Sequence, residues 1–571
     1  MGPSSNDNSR RTAETIYQVY PASFYDSDGD GHGDLMGVTQ KLDYIKSLNV
    51  DAVWISPFYL SPSGPEGDGG YAVTDYKAID PRFGTAEDFE TLLKEAHARG
   101  LRIYTDFVIA HTASDHEWFE KSRRREEPYA DYYVWHDGIE WEGRRVPPNN
   151  WKSVFGGEAW AWDDARGQYY MHHFLKSQPK LNLNEAKVQD AVLGEMKYWL
   201  DMGVDGFRLD ALTFCNNDPQ FRNNPWLYGT WPNVKEAWDQ QRFDHSMCQP
   251  QTVDLIARIR QLMDSYPQKK SALGETIAGP DGGWNAMAVA ATYVDRDHGL
   301  DACYTDASNA ISQQTPHDYL KDLFRRLQNT FPGGGHCNAI GNHDSVRTAT
   351  RIGWALPEPD RPAALRQIMK LLLSMPGSVC LYQGEELGLP QARIPEDIPR
   401  DKLRDPVTVG PAACRDGSRT PMPWETGKKN AGFSTSDEPY LPVPASHLDK
   451  TVRQQEFDQN SMLHFMRGLL AWRKNQPALI CGEAVVLDTA APILAFLRRS
   501  EDQTLLCVFN LDSQKASFKP SDVLDDETLA ALSLKKDEVM AMDGHGSSFT
   551  GTVSPAPQAP RPQNQGLTPS P

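Results

Sequence analysis

Short apolar runs, each followed by an amphipathic helical stretch, recur along most of this chain, and that alternation leaves few folds open. The strand candidates are Ile16–Tyr20, Ala52–Ser56, Leu101–Val108, Gly206–Ala211, Ala272–Thr276, Asn338–Gly341 and Val379–Gln383, with a fainter one at Ala302–Thr305. Between them lie helices such as Thr85–Arg99, where Thr85 caps, Asp88 completes a box-like pair and Gly100 ends the run. Another is Val188–Leu200, with Val188, Val192, Met196, Trp199 and Leu200 on one face. Strand–helix alternation implies parallel strands joined by crossover helices, and about eight such units fit a closed α/β TIM barrel, (β/α)8, better than an open sheet.

Composition excludes several partners. The formal net charge of -19 argues against nucleic acid, whose binders present a basic face. With 15 Trp and 10% aromatics, the chain has the means to build a large core. Eight Cys without a CxxC pair indicate neither a zinc ribbon nor a disulfide framework. The polar start MGPSSNDNSRRTAET shows no secretory h-region, and no 18-residue apolar run is present. The expectation is a cytoplasmic protein away from the membrane, a monomer or small homo-oligomer, with no organic cofactor.

The segment from about His111 to Asn182 is too long for a simple connection. It follows the third strand, so it stands at the C-terminal mouth of a barrel. Residues 112–182 are accordingly expected to form an inserted subdomain, leaving 13–111 and 183–478 for the barrel. After the helix Met462–Asn475, the runs Ala484–Leu487, Ile493–Leu497 and Thr504–Asn510 read as strands without intervening helices. They suggest a small C-terminal antiparallel β domain over 479–545, followed by a disordered Pro-rich tail over 546–571 to match a disordered start at 1–12.

Two kinds of constellation carry chemistry. The loop Asp26-Ser27-Asp28-Gly29-Asp30-Gly31-His32-Gly33-Asp34 sets carboxylates at positions 1, 3, 5 and 9, with the His32 carbonyl at position 7. Such spacing suits an oxygen cage for structural Ca2+ (or Mg2+), although Gly37 stands where a helix–loop–helix calcium site has its bidentate Glu. Separately, strands three, four, five and seven end in the polar segments DFVIAH, GFRLD, GET and NHD. Together they bring Asp210, Glu275 and Asp344 to one mouth, with Arg208 on the same face as Asp210. Paired carboxyls suit hydrolysis of a glycosidic bond: one attacks, one protonates the leaving oxygen. For a double displacement they should stand about 5–5.5 Å apart. Phosphate loops and GxSxG elbows are missing from the sequence.

The ordered segments YQVYPASFYDSDGDGHGDLMGV, VWISPFY, DFVIAHTASDHEWF, QPKLNLN, GVDGFRLDALTF, GET, GNHDSVR, YQGEELGLP and RDGSRTPMPW resemble the α-glucosidase and oligo-1,6-glucosidase branch of the α-amylase superfamily, glycoside hydrolase family 13, over roughly residues 13 to 540. The resemblance implies a retaining, exo-acting enzyme on small oligosaccharide or disaccharide substrates. By it, Asp210 is the nucleophile, Glu275 the general acid/base, and Asp344 the carboxylate that holds the sugar's 2- and 3-hydroxyls. Arg208 orients Asp210, and His111 and His343 bind the glucose. Asp68 holds the terminal 4-hydroxyl with Arg415 as its ionic partner, and Tyr71, Phe155 and Phe174 form aromatic walls. Ala211, following the nucleophile, implies maltose-like α-1,4 substrates or sucrose rather than isomaltose.

Three positions depart from the family pattern: Ala72 where Asp follows GY, Ala110 where Asn precedes the histidine, and Lys180 where QPDLN has Asp. An isomerising or glucosyl-transferring enzyme of the same fold, such as a trehalose or isomaltulose synthase, shares the same covalent intermediate. A non-catalytic scaffold is the third reading, and an intact carboxyl trio weighs against it.

Overall fold

The computed structural model describes residues 13–553 apart from 228–240, 277–282, 295–297, 306–310, 312–314, 316, 355 and 396–413. Eight parallel strands close a barrel in chain order: Thr15–Val19, Ala52–Ile55, Arg102–Val108, Gly206–Asp210, Ser271–Thr276, Ala302–Thr305, His336–Asn338 and Ser378–Tyr382. The first strand pairs with the second on one edge and the eighth on the other, so the ring has no open edge. The seventh strand lies earlier than the apolar run at 338–341 suggests. Ala339 and Ile340 are buried in the loop leaving the barrel, so hydrophobicity there marks burial rather than ladder pairing.

Register places the chemistry. Arg208 sits opposite Asp106 on the neighbouring strand, and Glu275 opposite Tyr304. Strand faces alternate, so partners in parallel register point the same way. Ile16, Ala52, Trp54, Tyr104, Leu273, Tyr304, Cys337 and Cys380 fill the barrel interior. The helices pack outside by their apolar stripes. In Ala86–Ala98 both hydrogen bonds of the capping box between Thr85 and Asp88 are present. Helix Ala186–Met202 buries Val188, Val192, Met196, Trp199 and Leu200, and stops at Gly203 in the left-handed conformation.

The long connection after the third strand folds on itself. Strands Trp135–His136, Gln168–Met171 and Trp160–Asp163 form an antiparallel sheet, and Trp151, Trp160, Val134 and Met171 form its own small core. An antiparallel bridge between His111 and Lys180 ties its two ends together.

The C-terminal sheet runs in the order Glu483–Val486, Ile493–Arg499, Gln503–Asn510 and Ser547–Val553. The last strand corrects the boundary at 545. Ser547–Val553 is short in strong apolar residues, yet it pairs along Gln503–Phe509 and packs Phe549 on Trp472. The part of the Pro-rich tail from 554 on, and residues 1–12, lie outside the described residues. None of the described helices is long and apolar enough to cross a membrane.

A chain ended after Gly546 loses this seven-residue edge strand. It is expected to melt at least about 5 °C lower in calorimetry and to self-associate through the uncovered strand Gln503–Asn510.

Candidate active site

A single guanidinium organises the barrel mouth. Arg208, 1% exposed, sends Nη1 to Asp106 at 2.7 Å and to Asp210 at 2.6 Å, and Nη2 to Glu275 at 2.5 Å. It stands over the rings of Trp54 at 4.9 Å, Tyr304 at 5.6 Å and Tyr71 at 5.8 Å. Trp54 Nε1 and Tyr71 hydroxyl both donate to Asp106 Oδ2, at 3.1 and 2.9 Å. Tyr304 hydroxyl donates to Glu275 Oε1 at 2.6 Å, and the Ala211 N–H to Oε2 at 3.0 Å.

That last bond depends on local backbone. Ala211 has φ 47, in the left-handed region, which turns the chain sharply after Asp210 into the short helix Leu212–Phe214. The fifth strand lies tight against this turn at Gly274: a Cβ there would come within 2.7 Å of Leu212 Cδ1 and 2.6 Å of Leu300 Cδ1. A larger residue before Glu275 would have to push aside the side-chain ends of Leu212, Leu300 and Cys303.

One positive charge faces three carboxyls in this buried cluster, so full ionisation would leave a net charge of -2. Burial pushes all three up, against the pull of Arg208: Asp106 to about 6, and Asp210 and Glu275 each to about 7. Asp210 and Glu275 share Arg208, one on Nη1 and the other on Nη2, and the charge of Asp210 adds to the burial that raises Glu275. The rest of the floor is neutral. Burial drives His343 down to about 3 and His111 to about 4. Tyr71 has one hydroxyl proton and gives it to Asp106. His343 Nε2, 2.9 Å away, therefore donates to the Tyr71 oxygen, and His343 Nδ1 accepts from Gln18 Nε2 at 2.8 Å.

Above this floor is a cavity of about 250 Å³, lined by Asp210, Glu275, Asp344, Asp68, Arg415, His111, Ala211, Tyr71, Phe155 and Phe174 among others. Arg415 bridges Asp68 at 2.8 Å and Asp344 at 3.1 Å, and Arg419 holds Asp344 at 2.6 Å. Phe174 packs between His111 and Phe155, at 5.2 and 6.0 Å. Arg208 and His343 do not line the cavity; they lie beneath it as supports. At Ala72 and Ala110 the side chains are buried, and the backbone is paired: Ala72 N–H with the Gly67 carbonyl, and the Ala110 carbonyl with Leu181 N–H, each at 3.0 Å.

Sequence reasoning passed over Asp106, Trp54, Tyr304, Gln18 and Arg419. The signal for Asp106 was at hand, since it heads the DFVIAH segment and shares the face of Arg208. Gln18 and Tyr304 sit inside runs that read as plain strand.

A family model described as "Alpha amylase, catalytic domain" matches residues 18–482. The chain belongs to the α-amylase family. It is 40% identical over 511 residues to a probable alpha-glucosidase of Rhizobium meliloti (strain 1021), covering 88% of this chain and 89% of that protein. It is 34% identical over 530 residues to Maltase 1 of Drosophila virilis, covering 90% and 80%. A crystal structure of an alpha-glucosyl transfer enzyme superposes with a TM-score of 0.83 at 40% identity, over 95% of this chain and 99% of that one.

Away from the α-amylase mouth, the acidic loop brings Asp26, Asp28 and Asp34 together, each with an oxygen within 4.8 Å of the others. Asp30 is not among the three, and its carboxylate instead accepts the His32 N–H at 2.6 Å. The His32 ring packs on Phe83 and Tyr440. Backbone N–H groups of Gly29 and Gly31 orient Asp26, and those of Ser27 and Gly37 orient Asp34. Burial, with the charge of Asp28 adding to it, pushes Asp34 up. A hard, oxygen-loving cation fits this donor set.

The raised carboxyls have a consequence for stability. Native Glu275 keeps its proton to about 7, whereas an unfolded Glu loses it near its ordinary 4.5. The native state thus binds more protons in that window, and its stability falls as pH rises through it. Glu275→Gln is expected to be more stable than the native protein by about 1–3 kcal/mol in denaturant unfolding at pH 8, with the gap closing toward pH 4.

Proposed function

We propose that this protein is a retaining, exo-acting α-glucosidase that releases α-glucose from the non-reducing end of short α-glucosides, maltose-like α-1,4 oligosaccharides or sucrose. The observation that carries this reading is the placing of Asp210 and Glu275 side by side on one guanidinium, that of Arg208, both lining a pocket whose wall is braced by Asp68, Arg415 and Asp344.

Arg208 draws negative charge onto Asp210, whose carboxylate attacks the anomeric carbon while the glycosidic oxygen leaves with the Glu275 proton. Glu275, now ionised and held by Tyr304 and the Ala211 N–H, takes a proton from water. That water attacks the same carbon, the bond to Asp210 breaks, and glucose leaves with its configuration retained. Asp344, fixed by Arg415 and Arg419, holds sugar hydroxyls, and the negative floor favours the oxocarbenium-like transition state.

Glucose transfer to an alcohol is a second reading, because the covalent intermediate can be opened by a sugar or alcohol hydroxyl in place of water. The 40% identity to the alpha-glucosyl transfer enzyme favours it.

The purified enzyme should release glucose from maltose, sucrose or an aryl α-glucoside, and Asp210→Ala should reduce kcat by at least about 10³-fold. kcat/KM should follow a bell-shaped pH profile whose alkaline limb, the loss of the pair's last proton, falls at about 7. With an activated aryl glucoside, Glu275→Gln should lose that limb. An inactive native protein, or an unchanged Asp210→Ala, refutes the reading.

We also infer that Asp26, Asp28 and Asp34 hold a structural divalent cation, Ca2+ or Mg2+. A chelator should lower the Tm and added Ca2+ restore it, while Asp28→Ala should melt at the same temperature with or without either.

A further inference from the structure

Lys180 stands where the resemblance leads one to expect Asp, and it is almost completely buried, at 1% exposure. A buried ammonium normally has a carboxylate partner. Lys180 instead gives Nζ to main-chain carbonyls: Cys215 at 2.6 Å, Phe214 at 2.8 Å and Leu181 at 3.4 Å. Its three donors are thereby used. The charged and titratable groups facing it are Cys215, His111 and His173, none of them an anion at neutral pH: burial raises Cys215 and lowers both histidines.

Phe214 ends the short helix Leu212–Phe214 that follows Asp210, and Cys215 comes next. The turn begins at Ala211, whose left-handed backbone aims its N–H at Glu275. The Phe214 ring supports Phe174, 4.9 Å away, which walls the cavity. Lys180 itself is fixed by backbone pairing to His111 and Met171, at the stem of the inserted subdomain. Its side chain therefore crosses from that stem to the far end of the turn carrying the nucleophile's neighbour.

We propose that Lys180 is a positioning residue for the glycosidase reaction, an ammonium staple that fixes the Ala211–Cys215 turn and through it the Ala211 N–H on Glu275. This rests on the functional reading above only for its effect on rate; the staple itself can be read without activity. The Ala211 N–H stabilises ionised Glu275. Loosening it should therefore move the alkaline limb of kcat/KM to higher pH, which a merely structural lysine would not do.

The test uses the full-length protein and Lys180→Met, which keeps the stem's length and removes the donors. The expected result is a kcat on an aryl α-glucoside lower by roughly 10- to 100-fold, the cost of a small misplacement of a reacting group. KM should stay within about 3-fold and the alkaline limb should shift upward by at least half a pH unit, about what one loosened neutral hydrogen bond allows. Amide hydrogen exchange of Phe214 and Cys215, whose N–H groups close the turn on Ala211 and Leu212, should speed up by about 10-fold or more. A folded variant with native kcat, native alkaline limb and native exchange overturns the proposal. If Lys180→Met does not fold, Lys180→Gln decides. With two donors left for the carbonyls it should show the same three changes in smaller degree, and native values in all three overturn the staple. Faster exchange in an enzyme that never released glucose would uphold the staple and refute the functional reading instead.

Discussion

Arg208 is the charge on which the mouth of this barrel depends. Three buried carboxyls from three adjacent strands converge on one guanidinium, and without it their mutual repulsion and lost hydration would leave all three protonated or the cluster apart. A fork of fixed geometry is what the task requires. Lys offers a point charge and could not hold Asp106 and Asp210 on one nitrogen while reaching Glu275 with another. The aromatic faces of Trp54, Tyr71 and Tyr304 complete the enclosure and exclude water that would weaken each contact. The cluster is electrostatically costly to build, and that cost keeps a proton available at neutral pH.

The fold was largely legible because a barrel strand is written twice in a sequence, as an apolar run and as the polar residue that ends it. Asp210, Glu275 and Asp344 were found from that pattern. The supports were harder to see. Tyr304 and Gln18 lie within strands, where a polar atom looks like incidental variation until register shows what stands opposite it. The strand Ser547–Val553 escaped for the reverse reason: it is an edge strand rich in Ser, Thr and Gly, and its pairing comes from the neighbour it covers rather than from its own hydrophobicity. The acidic loop shows the limit of spacing arguments. Alternate positions suggested a common cage for Asp26, Asp28, Asp30 and Asp34, but the curl of the folded loop brings oxygens of Asp26, Asp28 and Asp34 within 4.8 Å of one another without Asp30.

The departures at 72, 110 and 180 form one neighbourhood. Ala72 follows Tyr71, whose carbonyl holds His111; Ala110 precedes His111; and Lys180 bridges to it across the stem of the inserted subdomain. Two polar side chains expected from the resemblance are replaced by methyl groups, and an acidic one by a basic one whose donors all end on carbonyls. The wall around His111 is thus held mainly by backbone pairing and one ammonium.

Closure of the ring couples the making of the first strand to that of the eighth. The N–H of Tyr20, just past the first strand, is satisfied by Gln383, 363 residues later. At translation rates of about 5–20 residues per second, the ribosome needs roughly 20–70 s to make that partner. Throughout this interval the emerging first strand has one unclaimed ladder edge; it carries Tyr17 and is followed by Phe24, both wholly buried at the end. A nascent polypeptide of this design keeps the outer edge of its first strand open until the eighth strand leaves the exit tunnel, and that edge is where pairing with the wrong strand can begin.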